Sequence, residues 1–205
     1  MFWYHNDLEQ LEKEITALEY HPKMIFYGSS TFTLWSELES HFKDYNPINL
    51  GFGGSTLAAC TWFFDRVFKN IKDVEAIIIY AGDNDLGEGR HPEEVVLYLE
   101  NLLAKIRAKY GNIPFTYISI KPSVSRWHLA GSIRFTNSTI QKLLSKDENC
   151  HFIDIYDLML DKKGKPKADY FTEDGLHLTA LGYKLWLDVL KKRSAIFPQI
   201  ELQKS

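Results

Sequence analysis

The chain has 205 residues, 45% of them hydrophobic and 25% charged, which is enough apolar content for one globular domain with a sizeable core. A formal net charge of -3 leaves no cationic excess to neutralise phosphates, so nucleic acid is excluded as the expected partner. Two cysteines make no disulfide framework, the longest apolar run (76–81) is too short to span a bilayer, and residues 1–7 lack the pattern of a secretory signal; the expectation is a cytoplasmic protein with two buried thiols.

Leu8, Leu11, Ile15 and Leu18 recur at helical spacing among Glu and Lys, which predicts a helix over about 6–19 packed across the sheet edge or bottom. From about residue 23 onward, short apolar runs alternate with longer amphipathic stretches. The runs 24–27, 48–50, 76–80, 115–120 and 152–155 read as strands, and each is apolar nearly throughout, as strands covered on both faces are. Between and after them, 32–42, 57–68, 93–110, about 133–144 and 181–191 read as helices. Pro47 starts a strand, Pro92 opens a helix and Gly111 closes one. Trp35, Trp62, Phe63 and Phe64 fall on these helices and are expected mostly in the core. The alternation predicts an α/β fold: a three-layer α/β/α sandwich around a flavodoxin-like parallel sheet of about five strands, order 2-1-3-4-5, with right-handed crossovers. A single domain is expected over 1–205, its core at about 23–193 and a tail from about 194.

Ligands of such a sheet bind beyond the carboxyl ends of the strands, so the residues just past each run carry the functional information. Gly28-Ser29-Ser30-Thr31 follows the first, Gly51-Phe52-Gly53-Gly54-Ser55-Thr56 the second and Gly82-Asp83-Asn84-Asp85 the third, while Asp174-Gly175-Leu176-His177 follows the last. They supply a hydroxyl nucleophile, a glycine open to close approach, a carboxamide donor, and an acid beside an imidazole. That is a parts list for acyl transfer. Ser30 needs a base to act as a nucleophile, His177 titrates near working pH, and Asp174 can orient its ring. The Ser30 and Gly54 N–H groups and the Asn84 amide are the candidate donors to the developing oxyanion.

These blocks, in this order from Phe26 to Leu185, resemble the SGNH hydrolases, also called GDSL esterases, which share a flavodoxin-like α/β/α fold. The resemblance implies Ser30 as nucleophile, Gly54 and Asn84 in the oxyanion hole, and Asp174 with His177 as the closing acid and base. The family's usual Gly-Asp-Ser-Leu reads Gly28-Ser29-Ser30-Thr31 here, a departure that retains the nucleophile. The expected activity is serine esterase or deacylase, acting through an acyl-enzyme on a small-molecule or saccharide acyl ester, with no cofactor and no metal.

Lys121-Pro122-Ser123-Val124-Ser125-Arg126-Trp127-His128 follows the fourth strand and should border the cleft. Arg126 is a candidate to hold an anionic substrate group and Trp127 to stack on a sugar or acyl portion, against the plain reading of a solvated Arg and a packed aromatic. Asp83 and Asp85 flank Asn84, but no His or Cys cluster accompanies them to suggest a metal. A flavin or nucleotide carrier on the same fold is the leading rival, and a non-catalytic binding module is another. Asp174 and His177 speak against the carrier, which has no use for an oriented imidazole.

Overall fold

The computed structural model describes residues 1–198; 199–205, the end of the expected tail, lie outside the described residues. Strands β1 (Met24–Gly28), β2 (Pro47–Gly51), β3 (Ala76–Tyr80), β4 (Phe115–Ile118) and β5 (Cys150–Ile153) form one parallel sheet in the order β2-β1-β3-β4-β5. The helices are α1 (His5–Ala17), α2 (Ser30–Thr33), α3 (Leu38–His41), α4 (Leu57–Val67), α5 (Asp83–Gly87), α6 (Pro92–Tyr110), α7 (Ala130–Leu144) and α8 (Ala180–Lys191).

Because successive strand residues point to opposite faces, the sheet builds two cores. Ile25, Tyr27, Leu50, Ile77, Ile79 and Tyr117 pack on one side with Leu8, Phe64, Leu99 and Ile140, from α1, α4, α6 and α7. Met24, Phe26, Ile78, Tyr80 and Ile153 pack on the other with Phe32, Leu38, Trp186 and Leu190, from α2, α3 and α8. Helix α1 lies against α4, where Arg66 forms a bidentate pair with Glu12. Helix starts follow their caps: Thr56 accepts from the Ala59 N–H at α4, and at α6 His91 and Glu94 make a capping box that spans Pro92.

Four elements differ from the sequence reading, and the simplest is the fourth strand, expected over 115–120, which ends at Ile118. The helix expected over 32–42 is two single turns, α2 and α3. Phe32, Trp35, Leu38 and Phe42 are all buried, as the spacing required, but Asn49 Nδ2 donates to the Phe32 carbonyl, and Trp35, between the turns, packs against Tyr183. The last strand sits at 150–153 rather than 152–155, because the Ser119 hydroxyl accepts from the Ile155 N–H and replaces the ladder there. Helix α5 was not anticipated, and it carries Asn84.

Of the aromatics expected in the core, Trp35 and Phe64 are buried, Phe63 is half-buried and Trp62 is exposed. The start of the expected tail is packed: Ile196 and Phe197 are buried, with Phe197 stacked on Tyr45. Among the described residues, no helix is long and apolar enough to cross a membrane.

Candidate active site

Strand β1 ends in a turn that only glycine tolerates. A Cβ on Gly28 would lie 1.9 Å from the Tyr80 carbonyl oxygen, so the backbones of β1 and β3 touch at this point. The Ser29 N–H then donates to that same carbonyl, and Ser30 begins α2 directly above the sheet. The Tyr183 hydroxyl, from α8, donates to the Thr31 carbonyl and fixes the turn from the other side.

His177 approaches from the loop before α8, with its Nε2 3.2 Å from Ser30 Oγ and its Nδ1 2.5 Å from Asp174 Oδ2. An ionised carboxylate can only accept, so Nδ1 carries the proton and Nε2 is left to accept from the serine. The other carboxylate oxygen, Oδ1, accepts from the Leu176 N–H (2.8 Å), the His177 N–H (3.0 Å) and the Thr172 hydroxyl (2.8 Å). These backbone donors, followed by the His177 side chain, hold the Asp174 carboxyl well below the usual carboxylate range. The loop is tied down by Thr172 N–H to the His177 carbonyl and by Ser125 N–H to the Gly175 carbonyl. The serine, the imidazole and the acid expected from sequence are therefore brought together in hydrogen-bonding order.

The donors expected for the oxyanion come from the neighbouring loops. Gly54 takes φ +65°, with open space where a Cβ would stand, and its carbonyl accepts from the Tyr4 hydroxyl. Asn84, on α5, donates from Nδ2 to the Ser55 carbonyl at 3.0 Å and accepts on Oδ1 from Arg126 Nη2 at 2.9 Å. Arg126, the candidate anion holder, also lies 3.4 Å from Asp83 Oδ2. Trp127 is half-buried, and its ring meets two cations of this chain, Arg134 at 5.7 Å and Lys165 at 4.9 Å.

Three charged residues beneath the site, Lys121, Asp83 and Asp85, are buried, and their pairings escaped the sequence reading. Lys121, only 1% exposed, places Nζ 2.9 Å from Asp83 Oδ2 and 3.0 Å from the Tyr80 hydroxyl. Burial pushes the Asp83 carboxyl up, but the facing charges of Lys121 and Arg126 outweigh it and leave the group below its ordinary value. Asp85 caps α4 through the Leu57 and Ala58 N–H groups; burial nevertheless pushes it up to about 6. The available signal was adjacency. In a 2-1-3-4-5 sheet, a lysine closing the fourth apolar run faces an aspartate closing the third.

Cys60 and Cys150 are free and buried, and burial raises both thiols, Cys150 to about 11 and Cys60 further. Both therefore stay protonated near neutrality, the unreactive form.

The chain matches the family model of the GDSL-like lipase/acylhydrolase family over residues 20–185. It belongs to that family. No curated protein matches it. Among solved structures, a Streptococcus pneumonia protein named for platelet activating factor aligns with a TM-score of 0.79 at 23% identity, covering 93% of this chain and 94% of its own. A GDSL-like lipase from Bacteroides thetaiotaomicron gives 0.74 at 20% identity, covering 90% and 95%. An acetyl xylan esterase gives 0.66 at 20% identity, covering 82% and 98%. These likenesses are of fold, whereas family membership makes this acylhydrolase an ester hydrolase by class.

Proposed function

We propose that the chain is a serine esterase that hydrolyses short acyl esters, with O-acetyl groups on a saccharide as the favoured substrate class. The observation that carries the chemistry is the relay from Ser30 Oγ to His177 Nε2 at 3.2 Å and from Nδ1 to Asp174 at 2.5 Å. In the first step, Ser30 Oγ bonds to the ester carbonyl carbon while its proton passes to Nε2. The carbonyl oxygen becomes an oxyanion that accepts from the Ser30 and Gly54 N–H groups and the Asn84 amide. On collapse the C–O bond to the alcohol breaks, and the alcohol leaves with the proton held on Nε2. Water then attacks the acyl-enzyme with Nε2 as base, and the carboxylic acid departs from a restored Ser30.

The substrate class is inferred from exposure. The His177 and Asp174 side chains are 31% and 47% exposed, so the alcohol portion need not be engulfed and a bulky polar one can reach the nucleophile. A structural neighbour is named as an acetyl xylan esterase, which accords with the same class. Chromogenic esters of increasing acyl length, followed by acetylated saccharides, test this. kcat/KM should be highest for acetyl and fall with chain length, and Ser30→Ala should abolish turnover with folding intact. Preference for long acyl chains would contradict the substrate class, and retained turnover in Ser30→Ala would contradict the mechanism.

A further inference from the structure

We propose that Arg126 is a positioning residue for the oxyanion donor: it fixes which end of the Asn84 amide faces the reacting oxygen. The inference rests on the hydrolase reading above and deepens it. A carboxamide has two ends of nearly equal shape, one that donates and one that accepts, and a flip exchanges them. Two partners that cannot exchange roles remove the ambiguity. The Ser55 carbonyl can only accept and stands 3.0 Å from Nδ2; the Arg126 guanidinium can only donate and stands 2.9 Å from Oδ1. One Nδ2 proton is thereby committed to Ser55, and the second is left for the oxyanion. Without Arg126, only the Ser55 carbonyl still opposes the flip, which would set two acceptor oxygens against each other and turn an oxygen toward the developing negative charge.

Arg126 is itself held in place. Its Nη1 lies 3.4 Å from Asp83 Oδ2, the oxygen that also pairs with buried Lys121. The guanidinium lies flat against α5, since a Cβ on Gly87 would come within 2.9 Å of its Cζ and Nε. Buried Nη1 has no hydrogen-bond acceptor, an unfavourable arrangement that a solvated arginine would avoid. The cluster of Lys121, Asp83 and Arg126 carries one surplus positive charge, which sits beside the amide that serves the oxyanion.

The test is a double-mutant cycle between Arg126→Met and Asn84→Ala, read as kcat and KM on a neutral acetyl ester and an anionic one. Misplacement of a catalytic group lowers rate more than binding, so Arg126→Met should lower kcat roughly 10- to 100-fold on both esters with KM nearly unchanged. On the Asn84→Ala background the same change should cost less than about twofold, because the amide it positions is gone. Gly87→Ala, which displaces the guanidinium without removing it, should lower kcat in the same direction and guards against a misfolded Arg126→Met. Arg126→Lys, which keeps the charge but loses the planar fork, should restore only part of the rate. Equal losses in both backgrounds, or a KM rise confined to the anionic ester, would overturn the proposal and leave the hydrolase reading standing. Turnover that survives Ser30→Ala would overturn that reading and this one with it, whereas a kcat indifferent to Asn84→Ala would overturn this proposal alone.

Discussion

The two halves of the candidate site are built in opposite ways. The acid–base half, Thr172 to His177, is a short exposed loop: Asp174 accepts from two backbone N–H groups within three residues of it and orients the imidazole of the same segment. The oxyanion half is assembled across the sheet. Asn84 is held by Ser55 and by Arg126, 29 and 42 residues away, over a buried Lys121–Asp83 pair. A locally wired acid tolerates exposure because its partners cannot drift from it. A donor aimed by distant elements depends on the fold, and charge is buried under it to hold it still.

If the local half works as described, replacing one atom in it has the largest effect of any change that spares both the nucleophile and the base. Asp174→Asn should lower kcat by about 100- to 10,000-fold, since an amide can take the wrong tautomer of His177 as partner. The Asp174 carboxyl is depressed in the folded chain, so it stays ionised well into acid. A fall of wild-type activity on mild acidification therefore does not report protonation of the acid. A pH–rate series on both proteins checks this, and a small loss in Asp174→Asn would mean that the loop geometry alone orients the ring.

The buried half should show itself first in stability. Lys121→Met leaves Asp83 without its closest counter-charge and should destabilise the fold by about 3 to 5 kcal/mol, measured by denaturant unfolding. Its pH dependence has a definite sign. Asp83 is depressed in the wild type, so its contribution is present above its ordinary value of 3.8 and is lost as pH falls through the lower folded value. With Lys121 removed, burial raises the group instead, and the variant should lose less stability than the wild type on acidification. Parallel stability curves for the two proteins would contradict the pairing.

The donor itself is expected to matter somewhat less. Asn84→Ala should lower kcat by roughly 100- to 1000-fold, with little change in KM, because the amide bonds an oxygen that is negative only in the transition state. Asn84→Asp should be at least as harmful, since a carboxylate repels that charge. A normal kcat with weakened binding would make Asn84 a ground-state contact.

The same contrast explains what could be read before the structure. Strand order, layers and the residues beyond the strand ends follow from apolar runs and breakers, and Asp174 and His177 are three positions apart, so their relation is visible in the sequence itself. The Lys121–Asp83 pair is 38 residues apart and depends on β4 lying beside β3 with their ends level. Arg126 was legible as a residue near the cleft, but its direction was not: that is set by Asp83 and by the bare backbone of Gly87. The helix expected over 32–42 breaks at a contact equally remote in sequence, where the Phe32 carbonyl accepts both from the Trp35 N–H in a tight turn and from Asn49 Nδ2 on β2.

The central claim is that Ser30 is the nucleophile, oriented by His177. Reaction with a fluorophosphonate, followed by peptide mass mapping, tests it most directly. The account predicts one adduct, on Ser30, formed by the wild type and suppressed in His177→Ala. An adduct on Ser29 or Ser55, or none in a protein that still turns over ester, would contradict it.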